Sequence, residues 1–433
     1  MFSIFFFITL IISDAILLGI CRIVWKEWSH PVFLINVLYM VLILVAYCGL
    51  KKYPWSFEGV TWLTMALYFL TAGGAFGKQI FKKRKPILCD TNSVRITISN
   101  KAWIFLTAMI VLSIAGWLYQ VVYNGFSLSS FTSMDSLAQM NNSIAVEHYA
   151  EQSKTNVFIK ISTIFYYVGP VCGGFLFPFS KTKMQKRLSI LSMLPIVLLM
   201  LFSSGKSGFL SCIVLWGSAF LTSYFYVHKQ APKINFSKLF GYAVLAVLAF
   251  GLLLFSMMLR IGHVDSETFD IVTEKFISYA FGEIQAFDWW FKVGRSNLNY
   301  SAGVQTFMAI FHNLGMVERK SGVYDFIPGV VSNVYTVFRG IIEDFGTVGG
   351  LVFVAICGCI AGYYFEKIKY SVKLPVVSCS FVVGIDFLFI YGYIISPWIY
   401  TSYVIMMFFF IGFVALCKGK NIIITYGNKI LIG

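Results

Sequence analysis

Residues 333–362 read NVYTVFRGIIEDFGTVGGLVFVAICGCIAG. Three charges, Arg339, Glu343 and Asp344, fall within six positions, and from Gly346 onward the stretch is apolar. A bilayer core takes about 20 apolar residues per helical crossing, and a charge beside such a run is costly unless it is paired, hydrated or in use. The question is whether the apolar run is one of many. The chain has 433 residues, of which 58% are hydrophobic and only 12% charged. Its mean hydropathy is +0.78. Comparable runs recur at about 2–21, 31–49, 59–77, 102–123, 157–179, 188–203, 208–227, 239–258, 346–365, 374–394 and 398–417, with 188–203 the shortest. The expectation is an all-α polytopic membrane protein with about 11 transmembrane helices. The first run has no basic residues before it, is interrupted by Asp14 and lacks a small-residue cleavage site, so it is expected to be a retained helix rather than a signal peptide.

The formal charge of +15 would suggest nucleic acid if the basic residues shared a soluble face. Instead they alternate with the apolar runs. Threading 11 helices with the C-terminus inside gives 22 Lys and Arg to inward connections and four, Lys51, Lys52, Lys154 and Lys206, to short outward ones. That asymmetry sets the orientation and ties the positive charge to topology and to membrane lipids, not nucleic acid. None of the nine cysteines falls in an expected outward loop, so they read as apolar packing residues.

The chain divides in linear order into 1–258 with eight helices, an outward segment 259–345, and 346–433 with three helices and a short tail. A second outward stretch, 124–156, is polar. Segment 259–345 is too aromatic to stay solvated. Within it Phe269, Val272, Phe276, Tyr279, Ala280, Ile284 and Phe287 recur at helical spacing. This predicts an amphipathic helix, lying in the headgroup layer with Trp289 and Trp290 in an aromatic belt or forming a lid over a membrane site.

Two short motifs mislead. Asp344-Phe345-Gly346 spells a kinase tripeptide, but no Gly-rich loop or catalytic loop accompanies it. Gly205-Lys206-Ser207 lacks the earlier glycine of a phosphate loop, since position 200 is Met200. His30, His148, His228, His263 and His312 form no metal motif, so neither metal nor cofactor is expected.

The outward charges are Lys206, Arg260, Asp288, Arg295, Arg319, Lys320, Arg339, Glu343 and Asp344. Cations held in a water-poor site at a membrane face suit phosphate, and arginine offers it a two-pronged fork. Each also has a plainer reading: Arg339 and Glu343 are four apart and can pair along a helix, Lys206 can snorkel to water, and Arg260 can mark a helix end.

The stretches SYAFGEIQAFDWWF (278–291), GVQTF (303–307) and NVYTVFRGIIEDFG (333–346) resemble, in order and spacing, the outward loop of the Wzy-type O-antigen polymerases, which join oligosaccharide repeat units. The resemblance implies a GT-C-like fold with a large, partly helical periplasmic loop in the bacterial inner membrane. It also implies a glycosyltransferase whose partner is undecaprenyl-diphosphate-linked oligosaccharide, with no metal or nucleotide sugar, and a chain-length regulator as a candidate protein partner. Arg339, Lys206 and Arg260 are then the candidates to bind the substrate diphosphate. The family often carries arginine where Lys206 stands. Arg339 is also the first catalytic candidate, and Asp288, His312 and Asp344 are candidate bases. The alternatives are an O-antigen ligase of the same fold and a flippase or transporter of a lipid-linked glycan.

Overall fold

The computed structural model describes residues 2–83, 94–95, 98–149, 156–203, 205–295, 300–318, 324, 327–330, 332–418, 423–426 and 429–432. Cys89, Lys154, Arg319 and Lys320 lie outside the described residues. The helices are α1 Phe2–Trp25, α2 Pro31–Gly49, α3 Glu58–Lys83, α4 Asn100–Tyr123, α5 Met134–Tyr149, α6 Val157–Leu176, α7 Lys183–Leu191, α8 Leu194–Ser203, α9 Lys206–His228, α10 Phe236–Ile261, α11 Ser266–Val293, α12 Met308–Asn313, α13 Val337–Tyr370, α14 Val376–Ile390 and α15 Thr401–Leu416. Several starts follow directly from sequence. His30 accepts from the Val32 amide with Pro31 next in line, Asn156 caps the Ile159 amide, and Thr182 with Gln185 closes a capping box.

Among the described residues, ten helices are long and apolar enough to cross a membrane, and α15 is a shorter apolar helix. The protein is therefore a multi-pass helical membrane protein, with ten such helices where the sequence suggests about 11. The run at 188–203 is among the ten as the span Lys183–Ser203, built of α7 and α8, and it is the last run that falls short, because Pro397–Ile399 forms a separate 3-10 turn before α15. The tail also departs from expectation: Val94–Arg95, Ile423–Tyr426 and Lys429–Ile432 pair as a small antiparallel sheet.

Contacts group the chain into two compact units: Met1–Ser99, Ser218–Ala231 and Ile277–Gly433 form one, and Asn100–Gly217 with Pro232–Phe276 the other. In the first unit α3 lies against α13 at backbone distance. A Cβ on Gly73 would overlap the Ala355 carbonyl oxygen, one on Gly77 that of Cys359, one on Gly358 that of Leu70, and one on Gly362 that of Gly74. Two small-xxx-small pairs, Gly73/Gly77 and Gly358/Gly362, thus interlock. This is how membrane helices gain packing where lipid offers no hydrophobic drive. The unit's core runs from Tyr39 and Trp62 through Phe287 and Trp290 to Phe338 and Phe389.

In the second unit α4 and α6 cross at Gly116 against Ser162. A second core gathers Trp117, Tyr166, Met200, Phe202 and Leu259. Val272, near the start of α11, packs with Leu254, Met257 and Met258 of α10.

Helix α11 corrects the headgroup-layer expectation. Its C-terminal half is core, with Ile284, Phe287 and Trp290 at no more than 1% exposure. The amphipathic pattern was a true helix signal; over this half the apolar face meets protein, whereas Phe269 near the helix start is 45% exposed.

Candidate functional site

The motif stretches converge in the first unit, around the start of α13. There Val337, Phe338, Ile341 and Ile342 point into the core, which turns Arg339 and Glu343 to the helix's other side. Arg339 Nε donates to Glu343 Oε1 at 2.8 Å, with both side chains only about an eighth exposed. Three rings surround the guanidinium: Tyr324 at 3.8 Å, Tyr335 at 4.3 Å and Trp290 at 5.0 Å from its carbon. Aromatic faces stabilise a cation by about 0.5–2 kcal/mol each, more as water is excluded. They accept no directed bond from its edge, however, and Nη1 is buried without a hydrogen-bond partner. A buried guanidinium nitrogen left in this way is costly, and an anion reaching it would remove the cost.

Helix α13 is two helical pieces. Gly346 adopts φ 75° and ψ 175°, a conformation only glycine takes without strain, so the short piece carrying Arg339 bends away from the long apolar piece. A break of this kind strips carbonyls of their helical partners, and the segment 300–306 replaces them. Ser301 N donates to the Glu343 carbonyl at 3.2 Å and Ala302 N to that of Asp344 at 3.1 Å. The Asp344 carboxylate accepts from Ser301 Oγ at 2.6 Å, Gln305 N at 2.8 Å and Thr306 N at 2.7 Å. The third motif stretch thereby grips the second.

Asp288, fully buried on α11, does the same for the start of α3. It accepts from Ser56 N at 2.7 Å, Phe57 N at 3.0 Å and Val60 N at 3.1 Å. Burial pushes its carboxyl above the ordinary range, and the amides of Val60, Ser56 and Phe57 oppose that shift. The backbone approach is tight, because a Cβ on Gly59 would lie 2.6 Å from Asp288 Cα.

Glu283 was not singled out from sequence. It sits two turns before Trp290 on the same face of α11, 5% exposed, with Oε2 lacking a hydrogen-bond partner. Burial pushes its carboxyl up to about 8, so it holds a proton at neutral pH. The clue was present in sequence: Glu283 falls on the apolar face defined by Ala280, Ile284 and Phe287.

His312 lies in the last turn of the short α12, half-buried, with Nδ1 3.1 Å from the Val317 carbonyl oxygen. A carbonyl only accepts, so Nδ1 carries the hydrogen and Nε2 of the neutral ring keeps a lone pair. Among the three proposed bases, Asp288 and Asp344 are each held by three donors, whereas His312 has a basic nitrogen outside its one such bond.

Lys206 and Arg260 belong to the second unit, so the structure does not gather all the expected cations with Arg339 in one compact unit. Lys206 is the first residue of α9 and Arg260 lies in the last turn of α10. Neighbouring asparagines of α5 tie the adjacent helix ends, Asn141 Nδ2 donating to the Leu201 carbonyl at 2.7 Å and Asn142 Nδ2 to that of Arg260 at 2.8 Å. Arg295 is a surface residue, 4.3 Å from the Phe291 ring centre and 4.0 Å from Glu58.

Eight described cysteines are free thiols, and Cys21 is more than filler: it accepts from Asn36 Nδ2 at 3.2 Å. Among the described residues no cluster of three or more His, Cys, Asp and Glu side chains could hold a metal. No family model, curated protein or solved structure matches this chain.

Proposed function

We propose that this chain is a membrane-embedded glycosyltransferase that polymerises lipid-linked oligosaccharide repeat units, with Arg339 gripping the diphosphate of an undecaprenyl-linked donor. The observation that carries the reading is the Arg339 guanidinium: ringed by three aromatic side chains, steadied by Glu343, and left with a buried, unpartnered Nη1. The resemblance of residues 278–346 to the polymerases supplies the reaction class, and with it the bacterial inner membrane, the periplasmic face and a GT-C-like fold.

In that reaction the bond from the anomeric carbon to the diphosphate oxygen breaks, a bond to a hydroxyl oxygen of the incoming repeat unit forms, and the hydroxyl proton passes to a base. Negative charge grows on the departing diphosphate, so a preorganised cation that binds it more tightly in the transition state lowers the barrier. Arg339 has that preorganisation, since Glu343 and the rings fix its plane. His312 Nε2 is the proposed proton acceptor. Asp344 and Asp288 serve as positioning residues, the first holding segment 301–306 against the Arg339 helix and the second holding the start of α3.

The test is the surface glycan ladder of a deletion strain complemented with Arg339→Ala. Single-repeat lipopolysaccharide with the protein still in the membrane is expected. Loss of a transition-state contact of about 3–4 kcal/mol corresponds to a rate lower by roughly 10²–10³. A full-length ladder removes Arg339 from the mechanism. Complete absence of attached repeats in the deletion strain points instead to a ligase, and accumulation of lipid-linked repeats on the cytoplasmic leaflet to a flippase.

A further inference from the structure

A groove of about 460 Å³ opens at the start of α3, walled by Phe6 of α1, Phe57, Thr61, Trp62 and Met65 in and beside α3, and Phe291 of α11. Two features set it apart from an ordinary lipid-facing crevice. Phe57 holds φ at 63°, a left-handed conformation that a bulky aromatic residue rarely adopts. Such strain persists only where neighbouring structure imposes it, and it concentrates at ligand clamps. Here the Asp288 carboxylate imposes it, by accepting the Ser56, Phe57 and Val60 amides. The second feature is placement. Phe291 in the groove wall is next in sequence to Trp290, whose ring lies against the Arg339 guanidinium. Trp62, in the same wall, donates to the Thr347 carbonyl at 3.1 Å, just past the Gly346 break. A cation, Arg295, stands over the Phe291 ring.

We propose that this groove takes the polyprenyl chain of the lipid-linked substrate, in the isoprene units nearest the diphosphate; the proposal rests on the functional reading above and adds the chain's binding site to it. Apart from Ser56, Glu58 and the Thr61 hydroxyl the lining is hydrocarbon and aromatic, which suits an unsaturated chain, and it shares α11 with the Arg339 site, so chain and headgroup subsites are held by one rigid helix. Asp288 thereby keeps a strained aromatic wall in place rather than touching the reacting atoms.

The experiment uses the full chain in phosphatidylcholine nanodiscs with a polyprenyl diphosphate bearing a photoreactive diazirine in its first isoprene units, adduct sites being read by mass spectrometry. Adducts are expected on Phe57, Met65 and Phe291. They should be competed by unlabelled polyprenyl phosphate and reduced about tenfold or more by Met65→Trp, which fills the groove from a residue that is 45% exposed and so perturbs little core. Phe6→Trp fills it from the opposite wall and should do the same. Adducts scattered over the apolar exterior, or adducts that excess phospholipid displaces equally well, mean bulk lipid only and overturn the proposal. A polyprenyl alcohol bearing the same diazirine separates this site from the functional reading: it has no diphosphate for Arg339 to grip, so its groove adducts should be the same in the parent and in Arg339→Ala. Specific groove adducts alongside a normal glycan ladder in Arg339→Ala uphold the chain site and sink the role given to Arg339. Scattered adducts alongside a lost ladder do the reverse.

Discussion

Replacing Gly77 with alanine tests whether the α3–α13 seam holds the site. A Cβ there would overlap the Cys359 carbonyl oxygen and stand 2.9 Å from Tyr363 N. Both obstacles are backbone, which cannot rotate aside, so the helices must part. Overpacking costs about 1–3 kcal/mol where side chains can adjust, and the upper end applies when they cannot. Separation also loosens the flanking contacts at Gly73, Gly358 and Gly362, so about 3 kcal/mol or more is expected for Gly77→Ala and again for Gly358→Ala. The chain contains its own controls. At Gly251 in α10 and Gly412 in α15 no atom lies within 4 Å of where a Cβ would stand, and alanine there should change stability by less than about 1 kcal/mol, in the stabilising direction. Thermal midpoints of the four purified variants in one detergent, followed by tryptophan fluorescence, decide the matter. If Gly77→Ala and Gly358→Ala melt together with Gly251→Ala and Gly412→Ala, the close seam is wrong, and the placement of α13 that presents Arg339 falls with it.

Two further predictions concern the buried carboxyls. Asp344→Asn keeps one oxygen for Ser301 and Gln305 but turns an amide N–H toward the Thr306 N–H; losing one charge-assisted bond and burying an unpaired donor should cost about 2–4 kcal/mol, and segment 300–306 should gain amide hydrogen exchange while the long piece of α13 does not. Protection unchanged in 300–306 would show that the carboxylate does not hold it. For Glu283, burial raises the carboxyl from 4.5 to about 8. The folded protein therefore binds a proton that the unfolded chain releases between those values, so stability falls as pH rises through that window. Glu283→Gln, which mimics the protonated form, should melt like the parent near pH 5 and several degrees higher near pH 9, and identical melting profiles across that range would refute a protonated Glu283.

The membrane-spanning helices were legible because hydropathy is a local property: twenty apolar residues announce themselves wherever they sit. Arg339 with Glu343 was legible for the same reason, four positions apart on one helix. The roles of Asp288 and Asp344 were not, because the donors they accept lie 228–232 and 38–43 positions away in the chain. A carboxylate in an aromatic stretch reads equally well as a base or as a clamp until its donors are known. The same limit explains α11. Its period of three and four correctly gave an amphipathic helix, but periodicity states only that one face is apolar, not whether lipid or protein covers it. Trp290, expected in an interfacial belt, is core: its ring packs near Phe287, which in turn meets Trp62 and Phe338.

What unites Asp288, Asp344 and Arg339 is that backbone amides or aromatic rings share in balancing each charge. Asp288 and Asp344 take amides, and Arg339 takes three aromatic faces, with Glu343 only at Nε. A guanidinium engaged by carboxylates on every nitrogen would have no donor left for a ligand. Here the two aspartates are engaged by other donors and Glu343 bonds Arg339 at Nε, while Nη1 has no hydrogen-bond partner and keeps its N–H groups for an anion. Arg339→Lys discriminates this reading from a purely structural pair. Lysine keeps the charge and can still reach Glu343, but it lacks the planar fork and the flat face that the rings contact. If the arginine only pairs with Glu343, Arg339→Lys should support a normal glycan ladder. If it grips a diphosphate end-on, the lysine variant should be nearly as short-chained as alanine while folding as well as the parent.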